Sequence, residues 1–279
     1  MYDKIEKFGK SKVQHGKMND RIYLMKLSKS DYPEIIDKLN SLAEEKNYSK
    51  IFAKVPEWAV DEFKSDGYRR EAYIPKFYEG RTDTYFLSKF VKKSRGVLKE
   101  KEKAVIDENI NLALSKKGQL QLKKKSSFEP GVLSQEDAAG LAELYSKVFK
   151  SYPFPIFEEN YLKKTMDENI VYFGIYDDEK LIAASSAEMD TSAKNAEMTD
   201  FATDPEYKGN NLSVRLLREM EREMLVRKIK TLYTIARTYS AGMNITFSKM
   251  RYKFSGTLVN NTNIAGKIES MNVWYKILV

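Results

Sequence analysis

The chain contains no cysteine and a single histidine, His15, so its chemistry must rest on carboxylates, tyrosines, lysines and the backbone. Cysteine nucleophiles, disulfides, CxxC redox pairs and Cys/His zinc sites are excluded within one chain. A Ser-His-Asp triad would have to draw on His15, in what reads as an N-terminal arm, and His15 is taken as structural. The junction suited to a charged ligand is Phe201-Ala202-Thr203-Asp204-Pro205-Glu206-Tyr207-Lys208-Gly209-Asn210-Asn211-Leu212-Ser213. A strand ends there, Pro-Glu-Tyr turns the chain, and a Gly/Asn-rich loop opens a helix. Successive backbone N–H groups at such a loop point outward and the helix dipole adds positive potential, which suits a pyrophosphate. Asparagine tolerates the left-handed conformation usually left to glycine, so Gly209-Asn210-Asn211 can form a nest. Three carboxylates, Glu188, Glu197 and Asp200, stand on the strands leading into it.

The elements that would position these groups follow from periodicity. Residues 97–117, with Val105, Ile106, Ile110 and Leu114 at helical spacing, read as a solvated, lysine-rich connecting helix. It stops at Gly118, which sets the expected domains at 1–118 and 119–279. A short strand is expected at 120–123. Ser134, with Asp137 three residues on, caps a helix whose apolar face is Ala138, Leu141, Ala142, Tyr145, Val148 and Phe149. Tyr152-Pro153-Phe154-Pro155 breaks it, and 157–168 is a second helix. Strands are expected at 170–176, 181–189 and 196–203, with a hairpin turn at 177–180. A helix over 212–227 buries Leu216, Leu217, Met220 and Met224. A strand at 231–236, a helix at 241–250 and closing strands at 252–259 and 271–278 follow. This order gives an α/β fold with a mixed, largely antiparallel sheet flanked by helices, and not a doubly wound one.

The 279 residues are 42% apolar and 12% aromatic, enough to pack the core of one large or two ordinary domains. Lys and Arg number 48 against 40 Asp and Glu, a net charge of +8. A polyanion would suit that balance, yet the lysine-rich connector has no interleaved aromatics. A solubilising surface is therefore favoured over a nucleic-acid partner. No long apolar run and no signal-peptide core is present, so a cytoplasmic protein without a membrane partner is expected.

Over 120–279 the element order and the loop together resemble the GNAT superfamily of acyl-CoA N-acyltransferases. Lys208 stands where that superfamily's loop has its basic residue, Asn211 at the first required glycine and Ser213 at the Gly/Ala. The resemblance implies acetyl-CoA as co-substrate and no metal. It implies pantetheine along Phe201, Ala202 and Thr203, and the diphosphate on Lys208, Gly209, Asn210, Asn211, Leu212 and Ser213. Further cofactor contacts are implied for Ser240, Asn244 and Phe247. Phe247 falls where many members carry a tyrosine acid, and Tyr239 is its best substitute. Glu197, six residues before Thr203, falls where histone-type members place the general base; Glu188 and Asp200 are its rivals.

Two more runs narrow the likeness. Gln14-His15-Gly16-Lys17-Met18-Asn19-Asp20-Arg21-Ile22-Tyr23-Leu24-Met25-Lys26-Leu27 is similar to the start of the β-lysine N-acetyltransferases. The tail from Gly256-Thr257-Leu258-Val259-Asn260-Asn261 to Met271-Asn272-Val273-Trp274-Tyr275-Lys276 is similar to theirs. The likeness implies acetyl transfer to the ε-amine of β-lysine, giving an osmolyte, by direct attack with a carboxylate base. Such a substrate carries a second ammonium and a carboxylate, so its pocket needs both an anion and donors. Asn260, Asn261, Glu269 and Asn272 cluster in the tail to supply them, beside Glu188 and Asp200, although Asn260-Asn261 also suits a turn. Tyr152 and Phe154 lie in a loop that is often a substrate wall in the superfamily. Another small amine or polyamine is the alternative acceptor, and a monomer or homodimer is expected.

The first domain shows an internal echo. Phe63-Lys64-Ser65-Asp66-Gly67-Tyr68-Arg69-Arg70-Glu71-Ala72 parallels Phe247-Ser248-Lys249-Met250-Arg251-Tyr252-Lys253-Phe254-Ser255-Gly256. Strand-like runs precede each (51–55 and 232–236), and runs ending in aromatics follow (84–87 and 273–275). The first domain is thus either a truncated GNAT-like repeat or a coincidental likeness. A phosphate loop is not expected in it, since 41–47 has no glycine.

Overall fold

The computed structural model describes residues 2–120, 128–264 and 266–278. The first sheet contains β1 (Lys4–Phe8), β2 (Ser11–Gly16), β3 (Arg21–Lys26), β4 (Lys50–Pro56), β5 (Arg69–Tyr78) and β6 (Thr82–Lys89). Their order is β1-β2-β3-β4-β6-β5. Only β3 and β4 pair in parallel, because α1 (Ile35–Glu45) carries the chain back between them. Ile35, Ile36, Leu39 and Ala43 follow the helical period, and with Phe63 of α2 (Val60–Ser65) they bury one face of this sheet.

α3 (Glu100–Ser115) leads to the second sheet. That sheet holds β7 (Pro130–Val132), β8 (Ile170–Asp177), β9 (Lys180–Asp190), β10 (Asn195–Thr203), β11 (Thr231–Arg237), β12 (Lys253–Ile264) and β13 (Lys267–Ile277), in the order β12-β13-β11-β10-β9-β8-β7. Among the described residues of this sheet only β10 and β11 are parallel, around α6 (Leu212–Val226). α4 (Ala138–Val148) and α5 (Glu159–Glu168) cover the β8–β9 end, and α7 (Ala241–Lys249) lies between β11 and β12. Strands β8 to β13 therefore repeat β1 to β6 position for position. Each set has its one parallel pair third and fourth, a helix inside that crossover, and its fifth strand at the edge.

The two sheets pack face to face. Tyr23, Phe52, Ile74, Phe77 and Phe86 of the first meet Tyr233, Leu258, Met271 and Val273 of the second in one buried cluster. The ring centres of Phe77 and Tyr233 are 5.1 Å apart. Edge strands β5 and β12 also meet. The Tyr73 N–H donates to Ser255 Oγ at 2.7 Å, and that hydroxyl donates back to the Tyr73 carbonyl at 2.5 Å. A buried Lys50–Glu71 pair at 2.9 Å holds both main-chain groups of Val259. At this seam a Cβ on Gly256 would lie 2.0 Å from the Glu71 carbonyl oxygen. Gly256→Ala is therefore expected to cost about 1–3 kcal/mol through backbone displacement. A thermal melt should show Tm lowered by several degrees; an unchanged Tm would mean the edges are not held this closely.

Several expectations need correction. The strand expected at 120–123 lies largely outside the described residues and is not tested; the first described strand of the second sheet is Pro130–Val132. The connecting helix is not simply solvated. Its Ile106 and Ala113 are buried, Asn109 Nδ2 donates to the Thr238 carbonyl at 3.0 Å, and the Gly118 N–H donates to the Ser248 carbonyl at 3.2 Å. The helix is thus docked against α7, with Val105 and Leu114 left outward. The closing hairpin is longer than expected, because Asn260 and Asn261 sit inside β12 rather than in a turn. The first-sheet connection equivalent to the phosphate loop is the glycine-free 27–34 and not 41–47, which holds the end of α1.

Candidate active site

β9 and β10 pair from Asn195↔Asp190 to Thr199↔Ser186 and resume at Ala202↔Ala184. One extra residue on β10 makes a bulge, with Asp200 in the left-handed region at φ 56°. On the other side, β10 pairs with β11 only from Asn195↔Thr231 to Glu197↔Tyr233. β11 continues beside β13 as far as Arg237↔Met271. The two parallel strands therefore splay apart after Glu197. The β10 edge beyond it can offer main-chain donors and acceptors to an extended, amide-bearing ligand.

The splay runs into the loop. Asp204 is buried, accepts from the Glu206 N–H, and is held by Lys147 at 2.8 Å and Lys180 at 3.0 Å. Hydrogen bonding to Lys147, above all, lowers its carboxyl pKa to about 2. Gly209 has φ 87° and Asn211 φ 57°, and Asn211 stands at the α6 N-cap without giving the helix a side-chain cap. Lys208, Gly209, Asn210 and Asn211 are exposed. An open nest on an uncapped helix start fits a diphosphate. Leu212 brings only its backbone, because its side chain is in the core beneath α6. Ser213 and Thr203 are half-buried, and Ala202 is buried under α4.

Beside the splay lies a cavity of about 320 Å³ walled by both sheets. The second sheet contributes Glu188, Glu197, Thr199, Asp200 and Tyr233, and the loop between α4 and α5 Tyr152 and Phe154; the first sheet contributes Gln14, Arg21, Tyr23 and Lys54. Glu188 and Glu197 are directly opposed across β9 and β10. Burial, then the neighbouring Glu188 charge, raises the Glu197 pKa to about 7. The Tyr233 hydroxyl bonds Glu197, and Lys54 Nζ donates to that hydroxyl at 3.1 Å. Burial also raises Glu188, against the opposing pull of Lys54. Asp200 accepts from Ser186 Oγ at 2.5 Å and from the Tyr152 hydroxyl, while burial raises its pKa. Three carboxylates biased towards protonation around one small cavity can bind ammonium groups and take a proton from one. A shallower cleft of about 510 Å³ on the outer side of α6, between Arg215, Arg218 and Glu219, has no such arrangement.

Of the residues expected at the site, the structure brings Glu197, Glu188, Asp200, Tyr152, Phe154 and Asn261 together in the cavity. Phe201 lines the loop side, edge-on to Phe247 at 5.6 Å. Other expectations are corrected. Phe247 is a buried core residue between Phe201 and Tyr252. Asn244 is fully buried; its amide donates to the Arg237 and Ser240 carbonyls, and its oxygen accepts from Asn272 and Trp274. All four bonding positions of Asn244 are used, so it is not free for a ligand; its partner Asn272 is fully buried, its amide on Asn244 and its oxygen accepting from Thr257. Glu269 is buried in a two-pronged ion pair with Arg237, both contacts 2.9 Å. Asn260 ties β12 to the Arg95 and Val97 carbonyls. Tyr239 lies outside the cavity with Lys267 Nζ over its ring at 4.8 Å. Ser240 stands at the half-exposed α7 N-cap.

Sequence reasoning missed the first sheet's share of the wall. The signal was Arg21-Ile22-Tyr23-Leu24-Met25. Ile22 and Leu24 pack under α1, and the alternate residues Arg21, Tyr23 and Met25 turn to the cavity.

A bulged strand, a splayed parallel neighbour and a nest on the next helix make up the architecture of acyl-CoA-dependent N-acetyltransferases. Residues 139–243 match the Acetyltransferase (GNAT) family. The chain is 44% identical to a β-lysine N(6)-acetyltransferase of Methanococcus maripaludis over 275 residues, 99% of each chain. It is 34% identical to a β-lysine N(6)-acetyltransferase of Methanosarcina mazei, over 88% of this chain and 98% of that one. A third relative, the N-acetyltransferase YodP of Bacillus subtilis, is 42% identical over 51% of this chain and 52% of its own. The chain belongs to the GNAT acetyltransferases, in the same family as these two β-lysine N(6)-acetyltransferases. It is an acetyl-CoA-dependent N-acetyltransferase. Among the described residues, no helix is long and apolar enough to cross a membrane.

Proposed function

We propose that the protein acetylates the ε-amine of β-lysine, with Glu197 as general base. The carrying observation is the carboxylate of Glu197, its pKa near 7, in the cavity wall where β10 and β11 part. An ammonium with a pKa of about 10.4 costs roughly 4 kcal/mol to deprotonate at pH 7.4. Glu197 takes that proton, directly or through water, while Tyr233 and Lys54 fix the carboxylate's orientation. Glu188 and Asp200 hold the second ammonium, with Tyr152 keeping Asp200 in place. Acetyl-CoA, when bound, supplies an activated acetyl group. The amine nitrogen attacks the thioester carbonyl and forms the new C–N bond; the C–S bond breaks, coenzyme A leaves as the thiolate and takes up the second N–H proton as a thiol, while Glu197 holds the first. The backbone of Phe201, Ala202 and Thr203 receives the pantetheine amides. Residues 208–213 hold the diphosphate, with Ser240 at the neighbouring helix start.

The names of the two full-length relatives support β-lysine as the acceptor. We place the reaction in the cytoplasm, with acetyl-CoA, and the product as an osmolyte: acetylation removes one charge from the amino acid. The chain divides near Gly118 into a GNAT-like half without a phosphate loop, 1–118, and an acetyltransferase half, 119–279; the shared strand order supports this division. The test is calorimetric titration with acetyl-CoA followed by an amine screen read by thiol release. Binding without added metal, and β-lysine as the best amine, are the expected results. No acetyl-CoA binding would sink the reading.

A further inference from the structure

We propose that Arg21 and Gln14, both from the first sheet, form a receptor for the substrate's carboxylate, so that the enzyme selects amino acids over plain amines. The proposal rests on the amine-acetylation reading above. Arg21 is 5% exposed and Gln14 is 1% exposed, and both line the cavity that holds Glu197. Arg21 Nη1 donates to the Asn261 carbonyl at 2.5 Å and to Thr262 Oγ1 at 3.0 Å, but Arg21 Nε has no partner. Gln14 Nε2 is likewise buried without a partner. Among the described residues Arg21 is in no ion pair of 4.0 Å or less; the Asp3 and Glu197 charges favour it only from farther away, and its close neighbours include the Tyr23 and Phe52 rings. Burial lowers its pKa only to about 10, so it stays charged at neutral pH.

A buried cation without a counter-ion costs several kcal/mol, and buried N–H donors without acceptors add to that cost. Here both residues belong to the wall of one cavity. An anion with two acceptor oxygens removes both deficits, and a carboxylate matches the flat guanidinium fork. Lys54 does not serve this purpose, because it bonds Tyr233 and faces Glu188 and Glu197. With the three carboxylates supplied by the second sheet, the cavity has an anion-binding pole and a cation-binding region, which a diamino acid fills with both ends matched.

The experiment compares β-lysine with 1,4-diaminopentane, which keeps the chain and both amines but lacks the carboxylate. The wild-type protein should favour β-lysine at least 100-fold in kcat/KM. Arg21→Met should lower kcat/KM for β-lysine by about 10²–10³, with the diamine within about threefold of wild type. Because Arg21 also ties the two sheets together through Asn261, Gln14→Leu provides a gentler arm. It should lose about tenfold for β-lysine alone, with Tm and acetyl-CoA affinity unchanged. Equal wild-type rates on both substrates, or parallel losses on both in folded Gln14→Leu, would overturn the carboxylate receptor while leaving acetyl transfer intact. Failure to acetylate any amine would instead overturn the reading on which it rests.

Discussion

Glu197→Gln is expected to lower kcat/KM by about 10²–10⁴ at neutral pH, with acetyl-CoA affinity unchanged. Glutamine keeps the size and the bond to Tyr233 but cannot accept the ammonium proton. In the wild type, kcat/KM should rise as pH passes upward through about 7, where Glu197 loses its own proton. Since Glu188 lies directly across the strand pair, the apparent pKa in that profile belongs to the two carboxylates together. The mutant's deficit should shrink at high pH, where free amine is abundant. A deficit constant with pH would mean positioning instead, and near-wild-type activity would pass the role to Glu188 or Asp200. Stability gives an independent readout. The folded-state pKa of Glu197 lies above its unfolded value near 4.5, so its contribution to stability is lost as pH rises through about 7. The glutamine variant should therefore melt higher than wild type above pH 7, and the gap should close towards pH 4.

Gly209→Val is expected to weaken acetyl-CoA binding at least tenfold, about 1.4 kcal/mol. A Cβ there would meet no protein atom within 4 Å, so overlap within the folded chain is not the reason. The reason is twofold. Gly209 holds φ at 87°, which a β-branched residue resists, and the nest it shapes must let backbone approach a diphosphate. Gly67→Val is the matched control. Gly67 has φ 86° and equally open space, but it lies after α2, away from the loop. Both variants should lose comparable stability; only the first should lose acetyl-CoA affinity. Unchanged affinity in a folded Gly209→Val would remove the cofactor site from 208–213.

From Ser134 onward the order of elements was legible, because capping and periodicity agree there. Ser134 and Asp137 do form the reciprocal cap, and α6 buries the expected Leu216, Leu217, Met220 and Met224. The facing of Glu188 and Glu197 was implicit in a hairpin of that length. The tail was harder. Asn260, Glu269 and Asn272 have the composition of a binding site, but buried polar side chains need partners in either case, and theirs are internal. Local preference also suits Asn260-Asn261 to a turn; they instead form an irregularity within β12, held by bonds from Arg95 and to Ser270 at Asn260 and from Arg21 at Asn261. The shared cavity was hidden for a different reason. Arg21 and Asn261 are 240 residues apart, and no local period reports that their strands meet.

The face-to-face packing of the two sheets also sets an order of events during synthesis. Tyr23, Phe52, Phe77 and Phe86 leave the ribosome well before the residues that cover them, Tyr233, Leu258, Met271 and Val273. For most of translation the nascent first sheet carries an aromatic face with nothing on it, and its β5 edge waits for β12. Such a surface is prone to aggregate and is a natural client for a chaperone. The same long-range closure makes completion of the cavity a late step in folding, so a nascent chain can hold its first sheet well before it can recognise its substrate.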